Sequence, residues 1–300
     1  MKISIVTINY NSSENTIKLL ESLRNQTDKD FEVIVIDNNS KDVGQLMDYK
    51  TSETNIIFIN NDKNLGYSGG NNVGIRRALE TWKVDPAYDG ASWVFFLNND
   101  TWVESSFMER LKADLEGREG IVGLALDEGH RMVMAGLIEW LKPTLIHITM
   151  SDIVSNNDVR HRYYSIGGAM LIHKNVFDKI GFLDENYFLY FEDADFCQRA
   201  RKAGVLVSFL PEIKVSHSVS ASTKKLGSPM LLRYHYRNAL YFNLKNGPFY
   251  IKFLVWPWSW FIALRQIIKR SIGKNREQSL AILKGVGDFY QERYGKISNS

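Results

Sequence analysis

Trp93-Val94-Phe95-Phe96-Leu97-Asn98-Asn99-Asp100 is the stretch on which the fold turns. Five apolar residues without a polar break read as a strand buried on both faces, and such strands belong to parallel sheets covered by helices. The run then stops in two amides and a carboxylate. The same pattern recurs upstream. Ile3-Ser4-Ile5-Val6-Thr7-Ile8 precedes Asn9, Glu32 to Ile36 precedes Asp37-Asn38-Asn39-Ser40, and Ile56 to Ile59 is a third strand. Helical spacing fills the gaps. Ile17, Leu20 and Leu23 follow the caps offered by Asn11-Ser12-Ser13; a glycine-rich loop, Leu65 to Gly70, leads into a helix through Ala78 and Leu79; Phe107 to Leu115 is another helix. Strands separated by helices predict an α/β fold with a mostly parallel central sheet flanked by helices. Ligands of such sheets bind beyond the carboxyl ends of the strands. Asn9, Asp37 and Asn98 to Asp100 all fall there.

The second half carries fewer signals. Residues 121–165 hold short strand candidates, and Ser151 to Arg162 reads as a loop. Tyr164 to Ile172, including Gly167-Gly168, resumes an apolar strand. Glu192 to Ala203 reads as a helix stopped by Gly204, and Val205 to Leu210 and Ile213 to Val215 as two short strands. A cluster of Ser, Thr, Gly and Pro from Ser218 to Pro229 marks a boundary.

Composition narrows the class. Among 300 residues, 44% are hydrophobic and 24% charged, which excludes a disordered tail, a collagen-like chain and a multi-span membrane protein. A single cysteine, Cys197, excludes a disulfide scaffold and any multi-cysteine metal site, and reads as a buried small residue. The apolar run Ile3 to Ile8 is too short for a signal peptide, so a cytoplasmic protein is expected.

Each polar cluster has a chemical reading beside a structural one. Asp37 suits the imide N–H of a pyrimidine, or an Asx-turn or helix cap. Leu65 to Asn72 lacks the Gly-x-Gly-x-x-Gly spacing of a dinucleotide site; it suits phosphate at a helix N-terminus, or a tight turn. Asn98-Asn99-Asp100 is a divalent-ion site or a turn. Glu192-Asp193-Ala194-Asp195 satisfies a helix dipole, or supplies a general base whose pKa burial has raised. His217, flanked by serines, reads in isolation as a packed or surface residue.

Taken in order, these segments closely resemble the inverting family-2 glycosyltransferases with the GT-A nucleotide-sugar fold, over roughly Lys2 to Ser220. The resemblance rests on Ile5-Val6-Thr7-Ile8-Asn9-Tyr10-Asn11, Val35 to Ser40, Asn64 to Asn71, Leu97 to Asp100, Gly167-Gly168-Ala169, Phe191 to Asp195 and His217. Within the family, the pattern looks most like the rhamnosyltransferases that build bacterial surface polysaccharides. It implies a nucleotide-sugar donor, dTDP- or UDP-linked, held by Thr7, Asn9, Tyr10, Asp37, Asn39, Gly66, Asn71, Asn98 and Asn99. It implies Mg²⁺ or Mn²⁺ on Asp100 and His217, Asp193 as catalytic base, and Gly167, Gly168, Ala169 and Glu192 around the sugar and acceptor. Many relatives carry Asp-x-Asp where this chain has Asn98-Asn99-Asp100, which leaves one carboxylate for the ion and an amide for the ribose. Dependence on dTDP-L-rhamnose is the first expectation and on a UDP-hexose the second. A nucleotidyltransferase would need basic residues in the glycine-rich loop, which has none. A non-catalytic nucleotide-sugar-binding protein would not need both Asp100 and Asp193.

Charge divides the chain. The 64 residues from Ile213 to Arg276 hold 12 basic and no acidic side chains, while the remainder carries a net charge of −9. Phe253 to Leu264 is a 12-residue uncharged run containing Trp256, Trp258 and Trp260, with Arg265, Lys269 and Arg270 just beyond. That is too short to span a bilayer, for which about 20 apolar residues are needed. It reads as an interfacial segment on an anionic leaflet, against the plainer reading of a core helix. It is too apolar for a nucleic-acid groove, so no nucleic acid partner is expected. The expected organisation is a catalytic domain over 1–225 and a helical, basic and aromatic extension over 226–300. Such enzymes often use lipid-linked saccharide acceptors, so the expected location is peripheral, at the inner face of the plasma membrane.

Overall fold

The computed structural model describes residues 1–50, 56–84, 91–155, 161–218 and 228–297. β1 (Lys2–Asn9), β2 (Glu32–Asp37), β3 (Ile56–Asn60) and β4 (Ser92–Leu97) form a parallel half-sheet in the order β3-β2-β1-β4. The register sets Asn9 beside Asp37 and Asp37 beside Asn60, so the polar strand ends share one edge. The intervening helices are α1 (Ser13–Arg24), α2 (Val43–Lys50) and α3 (Gly66–Val84). β5 (Thr101–Trp102) and α4 (Phe107–Leu115) follow β4. Every residue of β4 is buried, as the unbroken apolar run requires. Trp93 and Phe95 pack with Ile3 and Ile5 against Leu19 and Leu20 of α1 and Leu111 of α4. Val94 and Phe96 pack with Val6 against Ile75 and Ala78 of α3.

Beyond β4 the sheet is mixed. It continues through β6 (Ile121–Asp127), β7 (Met132–Leu137), β8 (Ile146–Thr149), β9 (Tyr163–Tyr164), β10 (Ala169–His173) and β11 (Val207–His217). β10 lies antiparallel between β4 and β6, and β11 runs parallel to β6. This brings Asp100, just past β4, next to His217 at the end of β11.

Several expectations change. Tyr164 to Ile172 is two strands, because Ser165 to Gly168 leave the sheet where the backbone runs close to its neighbours. A Cβ on Gly167 would lie 2.8 Å from the Tyr67 hydroxyl, and one on Gly168 2.9 Å from the Asn98 amide. The two short strands after Gly204 are one strand, β11, whose register slips between Leu210 and Lys214, where Pro211 cannot supply a ladder N–H. Gly66 to Gly70 is the first part of α3 rather than a loop before it. A Cβ on Gly74 would lie 2.3 Å from Val6, so the glycines let this helix lie directly on β1. Ser12 makes no side-chain cap on α1; Asp42 Oδ2 accepts from the Ser13 N–H at 2.9 Å instead. Part of the expected loop after Met150 is α5 (Met150–Ser155). Cys197 is buried.

The helices α6 (Lys174–Ile180) and α7 (Glu192–Lys202) precede β11, and α8 (Pro229–Asn246), α9 (Phe249–Ser271) and α10 (Arg276–Tyr290) follow it. The expected boundary at 225/226, with Lys224 and Lys225, lies outside the described residues. The three last helices share a core of Leu240, Val255, Ile262, Ile282 and Val286. Phe242 of α8 also meets Phe191 at 5.4 Å and stacks on Trp140 at 5.7 Å, so the extension is built into the core of the body. Among the described residues no helix is long and apolar enough to cross a membrane.

Candidate active site

The polar turn after β4 is the floor of the site. Thr101 closes it with its N–H and hydroxyl on the Asn98 carbonyl, at 3.3 and 2.6 Å. The Asp100 carbonyl accepts from Ser218 N–H at 3.0 Å and Oγ at 3.2 Å, which fastens the end of β11 beside it. His217 Nε2 then lies 3.4 Å from Asp100 Oδ1, and its Nδ1 faces Glu128 Oε1 at 3.9 Å. The other Glu128 oxygen takes Arg131 Nε at 2.6 Å.

Burial pulls the His217 pKa down, but the hydrogen bond and charge of Asp100 and the charge of Glu128 outweigh it, and the net shift is upward. A pocket that draws a proton onto an imidazole favours positive charge. A carboxylate and an imidazole are donors that Mg²⁺ or Mn²⁺ accepts. Among the described residues no group of three or more His, Cys, Asp or Glu side chains could hold an ion alone. Asp100 and His217 are thus two donors of the type such an ion takes, and could hold one only with further ligands from outside the chain.

The second wall is the start of α7. Its N-cap, Phe191, and the preceding Tyr190 both take left-handed backbone angles, φ 76° and 71°. Residues with side chains hold such angles at roughly 1–3 kcal/mol each, and only where the surroundings enforce them. The turn aims Glu192 and Asp193 inward; both are buried. Asp193 Oδ2 accepts from the Gly167 N–H at 3.1 Å and Oδ1 from the Ala194 N–H at 2.7 Å. Burial raises the Asp193 pKa to about 6, and these N–H groups only partly oppose it. Glu192 is raised well above the ordinary carboxyl range, by burial and then by the charges of Asp193 and Asp195, and its Oε2 is buried without a hydrogen-bond partner. Burial thus pushes both neighbouring carboxyls upward, Asp193 to about 6 and Glu192 well above its ordinary value.

The Gly167-Gly168 segment joins the two walls. Gly167 donates to Asp193, while the Gly168 carbonyl accepts from the Asn98 N–H at 3.1 Å. Ala169 then enters β10 opposite Leu97. The Tyr67 hydroxyl donates to the Gly167 carbonyl at 2.6 Å. Burial and then the charges of Glu192, Asp193 and Asp100 push its phenol well above the ordinary value. Through Gly167-Gly168 the backbone thus runs directly from Asp193 to the Asn98–Asp100 turn.

Along the ends of β1, β2 and β4 the polar residues divide into supports and exposed groups. Asn9 is wholly buried, with its amide N–H groups on Asp37 at 2.8 Å and Ser40 at 3.0 Å, and its carbonyl taking Thr16 at 3.0 Å. From there it holds Asp37, whose Oδ2 also accepts the Ser40 N–H at 2.9 Å. Thr7 is buried one step further in, its Oγ1 without a partner. Asn71 is buried, bonded to the Tyr67 carbonyl at 3.1 Å, and Asn99 is tied to Thr16 at 2.9 Å. Gly66, at φ 76°, passes so close to Phe188 that a Cβ would lie 2.3 Å from its carbonyl oxygen. Tyr10 and Asn39 are exposed, and Asn98 is half-buried. The sequence reading singled out neither Tyr67 nor Glu128. Tyr67 lay inside a segment read for its glycines, and Glu128, in the turn after β6, belongs to no pattern and meets His217 only through folding.

The model of the family described as "Glycosyl transferase family 2" matches residues 4–181. The chain is 25% identical over 253 residues to the dTDP-rhamnosyl transferase RfbF of Shigella flexneri, covering 80% of this chain and 79% of that one. It is 24% identical over 314 residues to the N-acetylglucosaminyl-diphospho-decaprenol L-rhamnosyltransferase of Mycobacterium tuberculosis, covering 94% and 97%. Among solved structures, the mannosyltransferase PcManGT of Pyrobaculum calidifontis, in complex with GDP-Man and Mn²⁺, superposes with a TM-score of 0.56 at 9% identity, over 97% of this chain and 87% of that one. That likeness is one of fold, the GT-A glycosyltransferase fold. With the family model spanning more than half its length, the chain belongs to glycosyltransferase family 2 and is rhamnosyltransferase-like.

Proposed function

We propose that the protein transfers a sugar, with inversion, from a nucleoside diphosphate donor to a hydroxyl of a lipid-linked saccharide, in the synthesis of a surface polysaccharide. L-rhamnose from its dTDP donor is the sugar we favour, since both relatives above are named as rhamnosyl transferases. The observation that carries the reading is the bridge Asp193–Gly167-Gly168–Asn98, which sets a buried carboxylate across from the Asp100–His217 pair.

The chemistry follows from the two walls. An acceptor hydroxyl is a poor nucleophile until a base within hydrogen-bond reach removes its proton. Asp193 has both oxygens oriented by N–H groups and a pKa of about 6, so it is ionised yet basic near neutrality. It takes the proton as the acceptor oxygen attacks the anomeric carbon on the face opposite the diphosphate. One displacement inverts the anomeric centre. Glu192, buried beside it, lines the sugar and acceptor region. Asp100 and His217 would hold Mg²⁺ or Mn²⁺, which stabilises the charge of the departing diphosphate as a Lewis acid. Asp37, steadied by Asn9 and Ser40, faces the pyrimidine, with Thr7 and Tyr10 toward the base and ribose, the Asn98 amide toward the ribose and Gly66 toward the phosphates, Asn39 being a further donor contact.

A panel of dTDP-, UDP- and GDP-sugars with Mn²⁺, read out as released nucleoside diphosphate, tests the donor. The expected result is turnover with dTDP-rhamnose. Preference for a UDP-hexose would replace the sugar but keep the mechanism; no turnover with any donor would leave only a binding protein.

The membrane reading rests on α9. Phe249, Phe253, Trp256, Trp260, Leu264 and Ile267 recur at helical spacing and are exposed, with Phe249 at 86% and Trp260 at 72%. Ile251, Val255 and Ile262 on the opposite side are buried. An apolar stripe beside Lys252, Arg265, Lys269 and Arg270 suits the headgroup region of an anionic leaflet. Phe253→Glu with Trp260→Glu should weaken sedimentation with phosphatidylglycerol-containing vesicles by about tenfold or more, given the buried apolar area and surface charge involved. Equal binding by the double variant, or none by either protein at low salt, would contradict a lipid face.

A further inference from the structure

We infer that Asn238, in the middle of α8, is a positioning residue for the catalytic base. The inference rests on the reading of Asp193 as that base. Asn238 is wholly buried, and its side-chain nitrogen donates to two successive carbonyls, Leu189 at 2.8 Å and Tyr190 at 3.0 Å. These are the carbonyls of the left-handed turn that launches Glu192 and Asp193. Its oxygen accepts from Arg237 Nε at 2.9 Å, and Arg237, also wholly buried, donates from Nη1 to the Arg293 carbonyl at 3.0 Å. The amide is therefore held from behind by the residues that follow α10.

The rest of α8 acts on the same turn. The His235 ring stacks on Tyr190 at 4.0 Å with 14° between planes. Asn246 donates to Asp195 Oδ1 at 2.7 Å, and Lys245 pairs with the same oxygen at 2.8 Å. α8 thus grips the chain on both sides of Glu192–Asp193, at residues 189–190 and at 195.

An amide is the side chain this task requires. One nitrogen must present two N–H groups to adjacent carbonyls while the oxygen faces a guanidinium. Tyr190 and Phe191 have Cβ atoms and avoid left-handed angles unless held. Without the clamp the turn relaxes, the first turn of α7 rotates, and Asp193 leaves the Gly167 N–H. The strand ends of β1, β2 and β4, which carry Asp37 and Asp100, stand apart from this turn; on the donor side the start of α3 touches it, where the Tyr67 N–H donates to the Phe188 carbonyl at 2.8 Å.

Asn238→Asp tests this, because it keeps the shape and the acceptor for Arg237 but turns an oxygen toward the two carbonyls. With dTDP-rhamnose and Mn²⁺, kcat should fall by up to about 10²-fold, the scale of a misplaced catalytic group. KM for the donor should stay within about twofold, since ground-state binding is spared. Hydrogen exchange at the amides of residues 192–196 should quicken while β4 stays protected. Tyr190→Gly, which accepts the left-handed angle freely, should shrink the effect of Asn238→Asp to less than about threefold. Wild-type exchange and wild-type kcat in Asn238→Asp, in a protein that Asp193→Asn inactivates, would overturn the inference. Turnover surviving Asp193→Asn would instead overturn the assignment of the base, and the exchange measurement, which needs no substrate, would still decide the clamp. Uniform loss of donor binding and of β4 protection would reduce Asn238 to a folding residue and likewise overturn it.

Discussion

Asp193→Asn should lower kcat by about 10³-fold, within the range that a positioned base supplies, and leave Mn²⁺-dependent dTDP binding unchanged. The substitution keeps the volume and an oxygen for the Gly167 N–H, so the loop that joins the two walls survives. What is lost is the ability to take a proton, together with the acceptor for the Ala194 N–H of its own helix turn. In the wild-type protein the same group sets the pH dependence. Its folded pKa, about 6, lies above the 3.8 of a free aspartate, so kcat should rise as pH passes through about 6 and level off above it. Stability runs the other way. Burying the neutral carboxyl favours the folded state fully below the unfolded value, and that contribution is lost as pH rises through about 6. The working, ionised state is thus the less stable one. An Asp193→Asn protein with near-normal kcat and an unchanged acid limb would assign the base elsewhere.

Asp100→Ala should weaken Mn²⁺-dependent binding of dTDP by about 10²-fold or more, since even outer partners of an ion contribute 10–100-fold. The two residues before Asp100 are amides, Asn98 and Asn99, so no adjacent carboxylate can substitute. Glu128 lies 3.9 Å behind His217, and its charge steadies the imidazole without reaching Asp100's place. The fold should persist, because the Asp100 carbonyl, not its side chain, receives Ser218. Calorimetric titration of dTDP with and without Mn²⁺ reads the effect. Identical metal-dependent affinity in Asp100→Ala would contradict the role.

What could be read in advance was local in origin. An unbroken apolar run such as Trp93 to Leu97 can satisfy its backbone only between other strands, so β1 to β4 and their polar ends were visible in sequence. The carboxylates at Asp37, Asp100 and Asp193 stood out because each ended or opened an element. What escaped depends on contacts between distant residues. No local rule tells that β10 enters antiparallel between β4 and β6, or that Gly70 and Gly74 serve helix packing rather than a loop. Tyr67 and Glu128 carry no spacing signal. Asn238 sits in α8 among other polar residues, Arg233, His235, Arg237 and Asn243, and nothing local singles it out; only the fold brings it to two carbonyls 48 and 49 residues earlier.

The claim at the centre is that one nucleotide-sugar spans the gap from the Asp100–His217 pair to Asp193. A crystal structure of the protein with Mn²⁺ and dTDP-rhamnose measures it directly. The account predicts the ion on the Asp100 carboxylate and His217, the diphosphate against it, and the anomeric carbon facing the Asp193 side of the cleft. An ion bound away from Asp100, or a sugar turned from Asp193 with no open path between them, would contradict it.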